Sequence, residues 1–218
     1  MLKIDVLTIF PEAFSSVFTH SILKRAQEKN LVTLSVHNLR KWSSDKKHGK
    51  VDDPPYGGGP GMVMMLEPIY LALQDLKSDT SFVILLSASG TTFTQKRAIS
   101  YAAKEHIIFI CGHYEGIDNR VSEYLVNEDI SIGHYVLTGG ELPAMVLIDS
   151  VTRLIPGVLG NSESVQDESF SEDKLSLEYP QYTRPENYNG LEVPEILLSG
   201  NHKKIDEWRN LNRKTLAE

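Results

Sequence analysis

The chain has 218 residues, of which 41% are hydrophobic and 23% are charged, and its formal net charge is −7. These values are typical of a folded protein of one or two domains, and the single cysteine excludes a disulfide framework or a cysteine-rich zinc site. No apolar run reaches the roughly 18 residues of a membrane span, and the amino terminus lacks a secretory pattern, so we expect a cytoplasmic protein without a membrane partner.

The first third of the sequence alternates between strand and helix patterns. Residues 3–9 read as a strand, and Pro11 opens a helix because its missing N–H is harmless in a first turn. The buried stripe of this helix recurs at every fourth residue, at Phe14, Phe18, Ile22 and Ala26. A second strand at 31–36 precedes a long polar loop at 38–61, and loops of that length in a compact domain are usually functional or disordered.

The middle of the chain continues this alternation between residues 66 and 154. Strands are predicted at 82–86, 107–111 and 130–137. Helices are predicted at 66–76, 94–104, 116–125 and 141–154, and Thr94 is the expected N-cap of the second. Strands that alternate with helices predict an α/β fold with a largely parallel sheet.

The composition changes after Gly160. Residues 161–178 are polar and acidic without periodicity, which is typical of a linker. The remaining residues, with Trp208 and several cations, are too few to bury a large core of their own, and they predict a small helical domain.

Three glycine-containing loops each follow an apolar run, at 85–90, 111–116 and 132–141. Ligands bind beyond the carboxyl ends of parallel strands, so the three loops are expected to converge on one site, where glycine lets the backbone approach a ligand closely. A tight turn explains any one of them alone, but three together favour a binding site. The phosphate-binding patterns G-x-x-x-x-G-K-[ST] and G-x-G-x-x-G after a strand do not occur.

The charge is unevenly distributed along the chain. The negative total argues against a nucleic-acid partner, but residues 40–50 carry five cations and one acid. Residues 163–178 carry six acids and one lysine. Such runs usually mark solvated faces, so they decide nothing alone.

A few single residues are candidates for chemistry. The seven histidines lack the spacing of a zinc site, and Cys111, which ends an apolar run, is interpreted as a buried inert thiol and not as a nucleophile paired with His113. Arg153 lies in an apolar segment, where a guanidinium needs either a structural carboxylate or an anionic ligand. Asp167 and Glu168 stand beside an aromatic residue in the linker.

Six longer motifs stand in order along nearly the whole chain. They are Val51-Asp-Asp-Pro-Pro-Tyr-Gly-Gly-Gly-Pro-Gly-Met62, Cys111-Gly-His-Tyr-Glu-Gly-Ile-Asp118, Ser131-Ile-Gly-His-Tyr-Val-Leu-Thr-Gly-Gly-Glu-Leu-Pro-Ala144, Ile155-Pro-Gly-Val-Leu-Gly160, Tyr182-Thr-Arg-Pro185 and Leu197-Leu-Ser-Gly-Asn-His202. Together they resemble the bacterial tRNA (guanine-N1)-methyltransferases of the TrmD type, in the SPOUT superfamily. The length and order of the motifs make a chance similarity very improbable.

The resemblance implies an architecture. Residues 1–160 would form an S-adenosylmethionine-binding SPOUT domain, an α/β parallel-sheet domain with a deep trefoil knot. Residues 161–178 would be a flexible linker. Residues 179–218 would form a helical tRNA-binding domain, shorter than is usual in the family. The knot is not something that general topology rules would suggest, since true knots are nearly absent from proteins.

The resemblance also implies an activity: transfer of a methyl group from S-adenosylmethionine to N1 of guanine at position 37 of tRNA, by a homodimer with composite active sites. The implied donor contacts are Leu86, Ser87, Gly112, Glu115, Ile132, Gly133, His134, Tyr135, Val136 and Leu137. A magnesium requirement is suggested as well, although no ligand set is visible in the sequence.

Guanine N1 carries a proton, so methylation needs a general base, and the negative charge that develops on O6 needs a cation. Arg153 matches the family arginine given the second role. The base falls on Asp167 or Glu168, because the family usually has aspartate directly before Ser-Phe, where this chain has Glu168. Register favours Glu168 and side-chain type favours Asp167, which we prefer slightly.

Other departures from the family pattern are Ala88, His113 and His134, where proline, arginine and an acid are common. Two alternative hypotheses remain open. One is a non-catalytic RNA-binding module that retains the donor fold but has lost the base. The other is a methyltransferase that acts on a different RNA position.

Overall fold

The computed structural model describes residues 1–159 and 177–214. The chain divides into two compact units after residue 160. Within the described ranges, no helix combines the length and the apolar character needed to cross a bilayer.

A parallel five-stranded sheet forms the centre of the first unit. Its strands are β1 (Leu2–Thr8), β2 (Val32–Asn38), β5 (Ser81–Thr92), β6 (His106–Cys111) and β7 (Glu128–Ser131), and a separate antiparallel pair consists of β3 (Asp52–Asp53) and β4 (Val63–Met64). The order across the sheet is β2–β1–β6–β5–β7, and every neighbouring pair is parallel. The predicted α/β fold with a largely parallel sheet is confirmed.

Helices cover both faces of this sheet. They are α1 (Ser15–Phe18), α2 (Ser21–Glu28), α3 (Leu66–Leu76), α4 (Gln95–Ala102), α5 (Asn119–Tyr124) and α6 (Glu141–Thr152), with short 3₁₀ turns at Pro11–Phe14 and Leu39–Trp42. Every residue of β6 is buried. Alternate residues of that strand join two separate apolar clusters, with Phe109 in one and Ile108 in the other. The sheet is therefore sandwiched between two cores, as side-chain alternation along a strand requires.

The single helix predicted from Pro11 is wrong, because it is broken at Thr19 and His20. The Thr19 hydroxyl donates to Ser15 O (2.7 Å), and His20 Nδ1 lies 2.6 Å from Ser16 O. These are the carbonyls that the backbone N–H groups of residues 19 and 20 would use in a continuous helix. Side chains therefore replace the backbone donors at this point, and His20 is extended.

Other predicted boundaries also shift. Strand β7 ends at Ser131 instead of running to residue 137, because the Ser131 hydroxyl accepts from Gly133 N (3.2 Å) and donates to Gly133 O (2.9 Å). Helix α5 begins after Asp118, whose carboxylate accepts from Arg120 N (3.0 Å). The predicted cap is confirmed, since the Thr94 hydroxyl accepts from Arg97 N at the start of α4.

Strand β5 runs past Leu86, where the sequence predicted its end, to Thr92. Both Leu86 and Thr91 pair with Ile130 of β7, so residues 87–90 form an excursion between two pairings with one partner residue. The segment predicted as a loop is therefore a bulge within a longer strand.

The described part of the second unit contains a hairpin and two helices: β8 (Asn187–Tyr188), β9 (Leu191–Glu192), α7 (Glu195–Leu198) and α8 (His202–Asn212). The Asn201 side chain caps α8 by accepting from Lys204 N (3.2 Å). Among residues 177–214, Ile205 is the only buried apolar side chain. Ring contacts supply much of the remaining packing, with Trp208 6.2 Å from Tyr182 and Arg209 above the ring of Tyr179.

Candidate active site

The loops that follow β5, β6 and β7 line one open cleft of about 420 Å³. These three strands are neighbours in the sheet and all point the same way, so their carboxyl ends meet at one edge. The convergence predicted from the three glycine loops is therefore observed. Its position agrees with the general rule that ligands bind beyond the carboxyl ends of parallel strands.

Most of the residues predicted to hold the methyl donor line this cleft. They are Leu86, Ser87, Gly112, Glu115, Ile132, Gly133, Tyr135, Val136 and Leu137. His134 is exposed and does not line it. A histidine in place of the usual acid at that position therefore leaves the cleft wall unchanged.

Two glycines hold the loops together. A Cβ on Gly140 would lie 2.7 Å from Cys111 Cα and 2.8 Å from Gly112 N, and Gly140 N donates to Gly112 O (2.8 Å). A Cβ on Gly90 would lie 2.5 Å from Ile130 N. Glycine was predicted to allow close approach to a ligand, but at these two positions it allows the loops to approach one another.

The cleft wall is acidic. Its described lining includes the carboxylates of Glu115, Asp118 and Asp129 and no lysine or arginine. Arg120 neutralises Asp118 through two hydrogen bonds (2.9 and 2.6 Å), which hold the pKa of this carboxyl below its ordinary value. Glu115 and Asp129 form no ion pair within the described residues, so the wall favours a cationic ligand.

Asp129 was missed by the sequence analysis. It lies on β7, where its Oδ2 accepts a short hydrogen bond from the Ser122 hydroxyl of α5, and its Oδ1 is buried without a partner in the described chain. No local sequence pattern marks this carboxylate, since its surroundings come from a helix seven residues earlier and from the neighbouring strand.

A second polar group borders the cleft at His113. The ring contacts Phe10 and Tyr114 edge-on, and its Nδ1 is buried without a partner among the described residues. Glu141, nearby, accepts from the Thr8 hydroxyl (2.6 Å). Burial, with Glu141 adding to it, raises the pKa of the Cys111 thiol, so the prediction of a buried Cys111 is confirmed and an ionised nucleophile there is disfavoured.

Of the residues predicted to catalyse proton removal and charge stabilisation, the structure describes only Arg153. Arg153 directly follows α6, is half-buried and does not line the cleft. Helix α6 begins next to Gly140 and spans 12 residues, which corresponds to about 18 Å along the axis. Asp167 and Glu168 lie outside the described residues.

No group of three or more histidine, cysteine, aspartate or glutamate side chains that could hold a metal ion occurs in residues 1–159 and 177–214. The side chains described do not build a resident magnesium site.

The family model described as tRNA (Guanine-1)-methyltransferase TrmD matches residues 2–217. Three relatives carry the name tRNA (guanine-N(1)-)-methyltransferase. The protein of Carboxydothermus hydrogenoformans is 59% identical over 95% of this chain and 81% of its own length. Those of Staphylococcus carnosus and Bacillus cereus strain B4264 are each 55% identical over 96% of this chain, and 84% and 86% of their own lengths. The resemblance seen in the motifs is confirmed, and the chain belongs to the tRNA (guanine-1)-methyltransferase TrmD family.

Proposed function

We propose that this protein transfers a methyl group from S-adenosylmethionine to N1 of guanine at position 37 of tRNA. The observation that carries the proposal is 59% identity, over 95% of the chain, to a protein named tRNA (guanine-N(1)-)-methyltransferase. The converging loops of the cleft supply a suitable place for the donor.

The cleft supports S-adenosylmethionine over a phosphate-bearing cofactor. Phosphates need cations or a helix N-terminus, whereas the described lining of this cleft has acids without ion-pair partners among the described residues and contains no lysine or arginine. Leu86, Gly112 and the segment 132–137 would hold the nucleoside, and Glu115 would face positive charge. When bound, the donor supplies an electrophilic methyl group on a sulfonium.

Proton removal must come from the protein, because the N1 lone pair of guanine is unavailable while the proton is bound. Asp167 or Glu168 would remove it as general base, and Arg153 would stabilise the charge that develops on O6. The residues of the cleft would orient the donor so that its methyl group faces N1. Such positioning of two reactants can lower a barrier by about 7–11 kcal/mol.

Arg153 supports a composite site. It follows the end of α6 that is remote from Gly140, and it does not line the cleft of its own chain. Helix α6 also exposes Leu142 and Val146, one turn apart, and a second copy packed against this helix would bury both. We propose a homodimer in which each cleft receives Arg153 from the second copy.

The substrate tRNA would meet local positive charge in spite of the net charge of −7. Lys46 and Lys47 are exposed and form no ion pair in the described part of the chain. The acid next to them, Asp45, lies 3.0 Å from His48 Nδ1 through its Oδ2. Their field can steer an RNA backbone. We place the reaction in the cytoplasm and assign tRNA binding also to residues 179–218, joined by the linker 161–178.

We also propose the trefoil knot implied by the resemblance. Support comes from the path after β7: Gly140 packs on the end of β6, although β5 lies between β6 and β7 in the sheet. The chain therefore crosses the end of β5 before α6 joins the core.

The test is methyl transfer from labelled S-adenosylmethionine to unmodified tRNA with guanine at position 37, followed by identification of the methylated nucleoside. N1-methylguanosine at position 37 is expected, and adenine at that position should abolish incorporation. Asp167→Asn and Glu168→Gln, made separately, identify the base, because the true base variant should lose at least about 100-fold in turnover.

The same experiment separates the alternatives. A methyl group on a ribose or on another nucleotide would overturn the choice of N1 and position 37. Donor binding without incorporation would support a non-catalytic RNA-binding module. If neither acid variant slows turnover, the assignment of the base to the linker is wrong.

A further inference from the structure

Four buried side-chain polar atoms lack a hydrogen-bond partner within the described residues, and two of them border the cleft. They are His113 Nδ1 and Asp129 Oδ1, whereas Thr152 Oγ1 and Arg209 Nε belong to residues outside its lining. An unsatisfied buried polar atom is costly, so its presence in a cleft wall points to a ligand that supplies the missing interaction.

Asp129 is held rigidly toward the cleft. Its backbone lies in β7, in register with Leu85 of β5, and its Oδ2 accepts from Ser122 of α5. The hydrogen bond to Oδ2 therefore fixes the side chain, and Oδ1 is buried without a partner among the described residues. No lysine or arginine side chain pairs with it in the described part of the chain.

Asp129 shares this property with Glu115 of the same wall but differs from Asp118 and Glu128. Asp118 is paired with Arg120, and Glu128, the neighbour on β7, is paired with Arg97 and accepts from Tyr101 (2.5 Å). A carboxylate that is already paired with an arginine attracts a further cation only weakly, because the arginine cancels most of its charge. Asp129 therefore contributes an uncompensated negative charge to a partly desolvated wall, where charges act more strongly than in water.

We infer that Asp129 is a specificity-determining residue that makes the cleft prefer the cationic methyl donor over its neutral product, an inference that rests on the proposed function. S-adenosylmethionine and S-adenosylhomocysteine differ by one methyl group and the positive charge of the sulfonium. A fixed negative charge in the wall attracts the first more than the second, whatever the detailed pose. Transfer of the methyl group removes the positive charge, so the product binds more weakly than the donor and dissociates more readily.

The experiment measures dissociation constants of the full chain for S-adenosylmethionine, S-adenosylhomocysteine and sinefungin, which has an amine in place of the sulfonium. Asp129→Asn keeps the shape and an oxygen for Ser122 but removes the charge. We expect it to weaken binding of the two cationic ligands by roughly five- to tenfold, and binding of the neutral product by less than about twofold.

Two control variants separate charge from structure. Ser122→Ala removes the hydrogen bond to Asp129 but retains the carboxylate, so the preference for cationic ligands should remain. Asp79→Asn changes the net charge equally, but it lies in the exposed turn before β5, at the opposite end of the strand from the cleft. It should leave all three dissociation constants unchanged.

The ratio of the dissociation constants for the cationic and neutral ligands tests the inference directly. If Asp129→Asn weakens all three ligands equally, or none, while the wild-type chain still binds the donor and methylates tRNA, this inference is wrong and the proposed function stands. If the wild-type chain binds neither donor nor product, the proposed function fails and this inference fails with it. Raising the salt concentration should reduce the preference of the wild-type chain, which provides a second reading.

Discussion

At the amino ends of β5 and β6, Ser81 and His106 join Asp5 in a hydrogen-bonded network. Toward the other end of the sheet, His113 after β6 and Asp129 on β7 border the cleft with atoms that have no partner among the described residues. In the network, Asp5 Oδ1 lies 2.7 Å from His37 Nε2, and Oδ2 lies 2.8 Å from both His106 Nε2 and Lys3 Nζ. Both regions are polar, but only the first has its hydrogen bonds complete within residues 1–159 and 177–214.

This difference indicates what each region does. A buried polar network whose members all have partners stabilises one arrangement of strands, and here it links β1, β2, β5 and β6. Polar atoms that have no partner in a cleft wall can form their hydrogen bonds or ionic contacts with a bound ligand. Stability and function are thus placed at opposite ends of one sheet, and substitutions at the two ends should have different consequences.

The largest effect is expected from Asp5→Ala. The side chain is 1% exposed, and its loss would leave His37, His106 and Lys3 without their shared acceptor. We expect the free energy of unfolding to fall by about 3–5 kcal/mol, because removing one partner from a buried network leaves the remaining polar groups without their hydrogen bonds. Urea denaturation measures it. If the loss is below about 1 kcal/mol, the network is not a stabilising element.

An intermediate effect is expected from Gly140→Ala, which tests the cleft end. The added Cβ would meet the backbone of residues 111 and 112, so we expect a loss of about 1–3 kcal/mol in stability together with weaker donor binding. Gly112→Ala is the matched control for stability, since its Cβ would meet contacts no closer than 3.5 Å. Equal losses of stability in the two variants would contradict the idea that close packing of Gly140 on residues 111 and 112 holds the loops together.

The smallest effect is a pH dependence at the network end. Burial opposes ionisation of Asp5, but hydrogen bonds from Lys3, His37 and His106 outweigh it and hold the pKa of Asp5 below its ordinary value. A lowered pKa stabilises the fold above the unfolded-state pKa, near pH 4, and this contribution is lost as the pH falls further.

Asp5→Asn removes this titration, so its stability should decline less steeply between pH 5 and pH 2 than that of the wild-type chain. Denaturant titrations at a series of pH values give both curves. Parallel curves would mean that the titration of Asp5 contributes nothing to acid unfolding and that its network does not stabilise the amino ends of the strands in this way.

Part of this architecture is predictable from local pattern. The solid apolar run at 107–111 predicts a strand buried on both faces, and the glycines after successive strands predict loops that meet. Both follow because neighbouring residues carry the signal. The motif resemblance added the family, which the comparisons confirm.

Other features depend on residues that are distant along the chain. The role proposed for Asp129 depends on Ser122 and on the absence of a paired cation among the described residues, and the network around Asp5 draws on four strands. The helix break at Thr19 arises because a side chain competes with the backbone for one carbonyl. Periodicity records none of these, since it reports which face is apolar and not which donor reaches which acceptor.

The excursion at 87–90 leaves β7 at Ile130 and returns to the same residue. Its two ends are anchored together, so the composition of residues 87–89 is uncoupled from the register of the sheet, whereas Gly90 must stay small against Ile130. Ser87, Ala88 and Ser89 line the cleft, and their replacement would reshape one wall while the strands stay where they are. The fold thereby offers a place where ligand preference can evolve independently of folding.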